Sequence, residues 1–312
     1  MSDSAEASAV QTGTSMDYRK LTTAIGAAAS DVDSVLERVL PTPHGLHCRV
    51  HEAMRYAIFA GGKRLRPFLV LSSAGLFDIA PERALRVAAA IEAMHTYSLV
   101  HDDLPCMDDD DLRRGRPTTH RAFDEATAVL AGDALLTVAF EILSGEATHP
   151  SADVRCRLIA RLAKAAGHDG MIGGQMIDME AADRALDSAD VVLLQQMKTG
   201  ALFEFCCAAG PILAGAPQKD HDNLHAYARD FGVVFQITDD LLDVLSTAER
   251  TGKAVGKDRD QGKATLVSKL GVDGARAEAE KLARRAASAL EPYGAKAENL
   301  RALPLFLLDR ES

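Results

Sequence analysis

The chain has 312 residues, of which 47% are hydrophobic, ample for a sizeable core, and a formal net charge of −10. That charge argues against nucleic acid as a partner, because binding to phosphates calls for a basic surface. No uninterrupted run of eighteen apolar residues occurs, so no membrane span is expected.

Taken in chain order, residues 1–16 begin MSDSAEASAVQTGTS, with acids, no arginine and no apolar stretch of the kind a targeting segment carries. They read as a disordered tail. From residue 17 onward the apolar positions recur with helical spacing, among abundant Ala, Leu, Glu, Arg and Met. The pattern predicts helices at 17–40, 47–60, 67–77, 82–103, 118–143, 152–166, 170–181, 188–208, 219–247, 262–270, 273–290 and 296–309. Pro41, Pro43, Gly61-Gly62, Gly115, Pro150, Gly210-Pro211, Gly252 and Gly256 fall where helices should stop. No stretch alternates long enough for a sheet, and no linker or change of composition divides the chain. The expectation is one all-α domain over 17–312, a large bundle whose central helices, such as 82–103 and 188–208, are apolar on most faces. Cys48, Cys106, Cys156, Cys206 and Cys207 are odd in number and form no CxxC pair, the pattern of reduced thiols in a cytoplasmic protein.

Two clusters of acids interrupt this apolar frame. His101 to His120 reads HDDLPCMDDDDLRRGRPTTH, with six aspartates between Asp102 and Asp111. Carboxylates this close raise one another's pKa unless a cation sits among them. Asp102 and Asp108 are six apart, about 240° round an ideal helix, so a straight helix cannot aim both at one point. Pro105 disfavours an unbroken helix there and lets the chain bulge back. The second cluster is Gln236-Ile237-Thr238-Asp239-Asp240-Leu241-Leu242-Asp243, where Asp239 and Asp243 share a face with Gln236 one turn earlier. Oxygen donors without cysteine or a histidine pair suit Mg2+, which fills its shell with water and substrate phosphates. An EF-hand fails for want of its central glycine and closing glutamate.

Magnesium implies phosphate, and phosphate attracts cations. Gly61-Gly62-Lys63-Arg64-Leu65-Arg66-Pro67 sets three of them between a glycine stop and a proline helix start, beside free helix N–H groups. Arg113 and Arg114 follow the first acids directly, while Arg116 reads better as local neutralisation. Lys198-Thr199-Gly200 interrupts an apolar helix, and TGKAVGKDRDQGK offers Lys253, Lys257 and Lys263. A Walker loop is excluded by the missing strand and pattern. His95 lies two turns before Asp102 on the same face, either as a satisfied core histidine or as a substrate ligand.

Together GGKRLRP, HDDLPCMDDDDLRRGRPTTH, GGQMID, KTGALFEF and FQITDDLLD, in that order over residues 61–243, resemble the trans-isoprenyl diphosphate synthases, and among them the bacterial farnesyl type. The resemblance implies an all-α bundle that condenses isopentenyl diphosphate with an allylic diphosphate, dimethylallyl or geranyl. Three Mg2+ ions are implied, two on Asp102 and Asp108 and the third on Asp239, with Asp103 and Asp243 supporting. It assigns Arg113, Lys198, Lys253 and, as a further candidate, Lys263 to the allylic diphosphate. Lys63, Arg66, His95 and Arg114 fall to isopentenyl diphosphate, and Thr199 and Gln236 offer oxygen dipoles to a carbocation. Tyr97, beside Ser98, lies five residues and about 7.5 Å before Asp102, where the family places an aromatic floor that limits product length. With the extra Cys106-Met107 in the first motif, this implies a fifteen-carbon product. GGQMID reads mainly as packing, with Gln175 and Asp178 bracing the site. A homodimer is implied too.

Alternatives are a geranylgeranyl diphosphate synthase, a class I terpene cyclase, and a non-catalytic subunit of a heteromeric prenyl synthase. A cyclase needs no isopentenyl site and usually carries Asn/Ser/Glu in its second motif. A non-catalytic subunit would be expected to have lost an acidic motif, and both are intact here.

Overall fold

The structure, a computed structural model, describes residues 18–181, 186–249 and 266–309. Its first helices are α1 (Arg19–Val39), α2 (Cys48–Ile58), α3 (Leu65–Gly75) and α4 (Pro81–Asp102). After a two-strand hairpin come α5 (Thr119–Ala122), α6 (Glu125–Ser144), α7 (Ala152–Ala166) and α8 (Met171–Glu180). Next, α9 (Ser188–Gln195) runs through a π turn, Gln196–Gly200, into α10 (Ala201–Ala214). The chain closes with α11 (Gln218–Glu249), α12 (Leu266–Ala289), a 3-10 turn and α13 (Glu298–Leu308).

Among the described residues most predicted helices recur within a few residues, including the break between 270 and 273, where Gly271 has φ +70°; the 1–16 tail, Gly252, Gly256 and the expected helix start at 262 lie outside the described residues. One apolar core runs from Leu21 of α1 to Leu307 of α13. At its centre α4 presents Ala88, Ala89, Ala90, Ile91 and Ala93, all fully buried, and the small side chains let α3, α6 and α10 approach closely. Asp230 of α11 holds Arg285 of α12 by two bonds of 2.5 and 2.7 Å, the paired geometry that suits a buried carboxylate.

Three expectations need correction. The helix expected at 118–143 is two helices, because Asp124 turns extended and accepts the Thr127 N–H at 2.7 Å, an N-cap that starts α6 afresh. A sheet does exist, two residues a side: Leu112–Arg113 pairs antiparallel with Arg116–Pro117 across Arg114-Gly115, both with positive φ. It is too short for alternation to reveal. Gly210-Pro211 does not end a helix either; α10 passes through it to Ala214 and stops at Gly215, φ +59°.

The reason is a helix-to-helix dock. Pro211 has no N–H to give the carbonyl of Cys207 four residues earlier. Ser73 of α3 supplies the missing donor, its hydroxyl reaching Cys207 O at 2.6 Å and accepting the Gly210 N–H at 3.2 Å. Glycine is required at 210, since a Cβ there would lie 2.4 Å from both Ser73 O and Oγ.

By length and composition α6 could cross a membrane. Here Leu135, Ala139 and Leu143 are buried in the core beside α4, while Val129 and Leu130 stay 40% and 58% exposed.

Ser73→Ala should cost about 1–3 kcal/mol by orphaning a buried carbonyl, and Gly210→Ala about 1–3 kcal/mol by overpacking. Urea unfolding measures both. Because the two residues touch, the double variant should fall short of the sum.

Candidate active site

The first acidic segment folds as a return loop. After α4 ends at Asp102, the N–H of Asp108 donates to the Asp102 carbonyl at 2.8 Å, and those of Asp109 and Asp110 donate back to Leu104 and Asp103. The bulge expected at Pro105 therefore brings Asp108 beside Asp102. Burial lifts the Asp102 carboxyl from 3.8 to about 6; Asp108 and Asp103 push the same way, while Lys198 and Arg113 oppose them. Burial also raises Asp103, against the Arg113 guanidinium whose Nε donates to it at 2.6 Å. Arg113 reaches Asp110 as well, at 3.5 Å. Burial thus raises these carboxyls although Lys198 and Arg113 pull them down, and the groups they offer are all oxygen. This set fits a hard divalent cation such as Mg2+.

The basic loop is built around a residue that sequence reasoning did not single out. Arg64 is 3% exposed, sits in the left-handed region at φ 48°, and spends its guanidinium on Glu92 (2.6 Å), Asp33 (2.9 Å) and the Ile58 carbonyl (2.6 Å). With Arg64 pinned inward, Lys63 is left exposed and Arg66 turns into the cleft. There Arg66 lies 4.8 Å over the Phe203 ring and its Nη1 is 3.3 Å from His95 Nε2. Burial, then Arg66, Arg114, Arg113 and Arg64, hold His95 well below its usual pKa, so it is a neutral imidazole and the acceptor in that bond. Arg114 donates to the Gly61 carbonyl, and a Cβ on Gly62 would fall 2.4 Å from its Nη1, so that glycine makes room for an arginine. Arg116 lies 4.6 Å over the Tyr56 ring, a structural role.

Across the cleft, the π turn presents Lys198, whose Nζ meets Asp178 Oδ2 at 2.6 Å. Gly173 and Gly174 of the GGQMID segment make the approach possible: a Cβ on Gly174 would stand 2.3 Å from Lys198 N. The segment thus packs, and of the two expected braces it is Asp178 that holds Lys198. Thr199 is half-buried in the same turn, and both side-chain amide atoms of Gln175 are buried without a partner. On α11 Asp239 is exposed and Asp240 buried, and Gln236 donates its amide to Asp240 at 3.0 Å. Arg66 lies within electrostatic range of Asp239 and Glu92. Tyr97 is buried, edge-on to His101 with centroids 5.7 Å apart, and Ser98 bonds back to the His95 carbonyl. Lys253, Lys257 and Lys263 lie outside the described residues, as does the side chain of Asp243.

The polyprenyl synthetase family model matches residues 47–300, which hold every one of these side chains but Asp33. The chain belongs to the polyprenyl synthetase family. It is 46% identical to the farnesyl diphosphate synthase of Bacillus subtilis (strain 168), over 72% of this chain and 76% of that one. Identity to the farnesyl diphosphate synthase of Geobacillus stearothermophilus is 45%, over 81% and 84%. The apo crystal structure of an FPP/GFPP synthase from Zymomonas mobilis superposes with a TM-score of 0.84 at 47% identity, covering 93% of this chain and 99% of that one.

Within this polyprenyl synthetase site the motif residue His101 works as a fastener. Its Nε2 is 3.0 Å from the Val129 carbonyl, in a gap that exists because α6 has Gly132 there. His101, Arg64 and Glu92 carry no spacing that separates a fastener from a ligand, so only the packing reveals them.

The Asp102 shift has a measurable sign. A carboxyl whose folded pKa is raised binds more protons folded than unfolded, so its burial cost is felt at neutral pH and relieved as pH falls from about 6 toward 3.8. In EDTA, Asp102→Asn should raise stability at neutral pH by up to about 3 kcal/mol and flatten its rise on acidification. Urea unfolding at several pH values tests this; unchanged pH dependence would refute the assignment.

Proposed function

We propose that this protein is a short-chain trans-prenyltransferase that joins isopentenyl diphosphate to dimethylallyl or geranyl diphosphate and releases farnesyl diphosphate. The observation that carries the reading is the pairing of a carboxylate-crowded wall at Asp102, Asp103 and Asp108 with a cation group at Lys63, Arg66 and Arg114. Two differently held diphosphates need two such surfaces, and a cyclase would need only the first.

Asp102 and Asp108 with Asp239 across the cleft are the residues that would hold Mg2+, three ions by family resemblance. When bound, the metal neutralises the allylic diphosphate and eases its departure. Lys198, held by Asp178, adds a fixed positive charge on the same side, and Lys253 and Lys263 are candidates from outside the described residues. Arg113 shares its charge with Asp103 and Asp110, so its first task is to order the loop. Arg66 and neutral His95, with Lys63 and Arg114, hold isopentenyl diphosphate and leave its double bond facing the allylic carbon. That fixed approach replaces a chance encounter and supplies a large part of the acceleration. Thr199 and Gln236 turn oxygen dipoles toward the developing cation, and the departing diphosphate takes the final proton. The growing tail runs along α4 toward buried Tyr97 and Ser98, which set the fifteen-carbon limit.

The exposed Val129 and Leu130 of apolar α6 fit the seat of a homodimer. The five cysteines are free, which suits the cytoplasm.

With both substrates and Mg2+, the product after dephosphorylation should be a fifteen-carbon alcohol by mass spectrometry. EDTA should abolish it, and Asp102→Ala or Asp239→Ala should lower kcat/KM by about 10²–10⁴-fold. Failure of condensation by folded protein would turn the reading to a cyclase or a non-catalytic subunit. Tyr97→Ala should lengthen the product, and an unchanged chain length would remove the floor assignment while keeping the enzyme.

A further inference from the structure

The turn from α1 into α2 reads Pro43-His44-Gly45-Leu46-His47-Cys48-Arg49-Val50-His51, and it brings together three imidazoles that no step above uses. The ring centroids are 4.7 Å apart for His47 and His51, 5.4 Å for His44 and His51, and 5.7 Å for His44 and His47. With metal–nitrogen bonds of about 2 Å and the ring centroid about 1 Å behind the nitrogen, three imidazoles on a tetrahedral ion keep their centroids roughly 5 Å apart. The observed triangle is already that size.

Two further observations point to a ligand. His51 is 8% exposed, and its Nδ1 is buried without any hydrogen-bond partner, an uncompensated polar atom on one of the three rings. His44 donates Nδ1–H to the Thr42 carbonyl at 2.7 Å, which leaves Nε2 with its lone pair. A backbone acceptor on the far nitrogen is the arrangement that orients and strengthens a metal-bound histidine. The donor nitrogens do not meet at one point as the rings now stand. His44 and His47 are exposed, the first held by its bond to Thr42, while His51 is buried.

We propose that His44, His47 and His51 bind one borderline divalent transition-metal ion, Zn2+ being the natural choice for three imidazoles, with water in the fourth position. Its chemistry is distinct from that of the all-oxygen acidic site. The ion clips the α1–α2 turn to the start of α2, the helix whose far end supplies the Ile58 carbonyl to Arg64. Its effect is therefore on stability.

The test uses the full chain, stripped by chelator and dialysed into excess Mg2+ so that the acidic site is saturated, then titrated calorimetrically with Zn2+. One equivalent should bind and raise Tm, and Co2+ should give a tetrahedral visible spectrum. Replacing both exposed ligands, in His44→Ala/His47→Ala, should weaken Zn2+ binding by at least about tenfold and cancel the rise in Tm, with Mg2+-dependent turnover unchanged. His47→Gln, which keeps a polar side chain at the helix start, should weaken binding likewise. Equal affinity in the wild type and the variants, loss of Zn2+ binding as Mg2+ is raised, or no binding at all would overturn the proposal.

Discussion

Carboxylates crowded at the buried end of α4 are the constraint around which the rest of this protein is arranged. A chain optimised for stability alone would not end an apolar helix in Asp102 and Asp103 and then fold Asp108 back on them. Each added charge makes the next harder to ionise, and burial makes all of them harder still. The loop survives because its backbone is satisfied internally, by the returning N–H groups of Asp108, Asp109 and Asp110, and because Arg113 ties Asp103 and Asp110 together. Asp102 keeps a raised pKa, chiefly through burial, on the side within electrostatic range of Lys198.

The opposite wall uses the same economy of charge with the sign reversed. Of three cations in one short loop, Arg64 is neutralised completely by Glu92 and Asp33, which fixes a left-handed backbone that few arginines adopt. Its neighbour Arg66 is then presented to the cleft by a backbone that cannot drift. Similar logic places Lys198: an inserted π turn sets it against α8, and two glycines there make room.

Much of this was legible in the sequence, and the parts that were not share a cause. Helix positions followed from periodicity, and the two acidic segments with their bulge at Pro105 followed from charge crowding and angular spacing. The break at Asp124 escaped because the helices on either side continue one apolar pattern. The π turn escaped because a single inserted residue hardly alters that pattern. Arg64 and Arg66 look alike in sequence, and only packing distinguishes the inward anchor from the residue set against His95 and Phe203. Gly210-Pro211 misled because its missing N–H is compensated by Ser73, 137 residues away in the chain, and no local reading can see a partner at that distance.

The neutral state of His95 has a consequence for how the enzyme meets changes in cellular acidity. Burial first, and then four arginines, keep its imidazole unprotonated, so this ring adds no charge to the basic wall across the physiological range. The acidic wall, by contrast, carries a group that titrates close to that range. The two walls of the metal-free protein therefore meet acidification unequally: the acidic wall gains a proton where the imidazole of the basic wall does not.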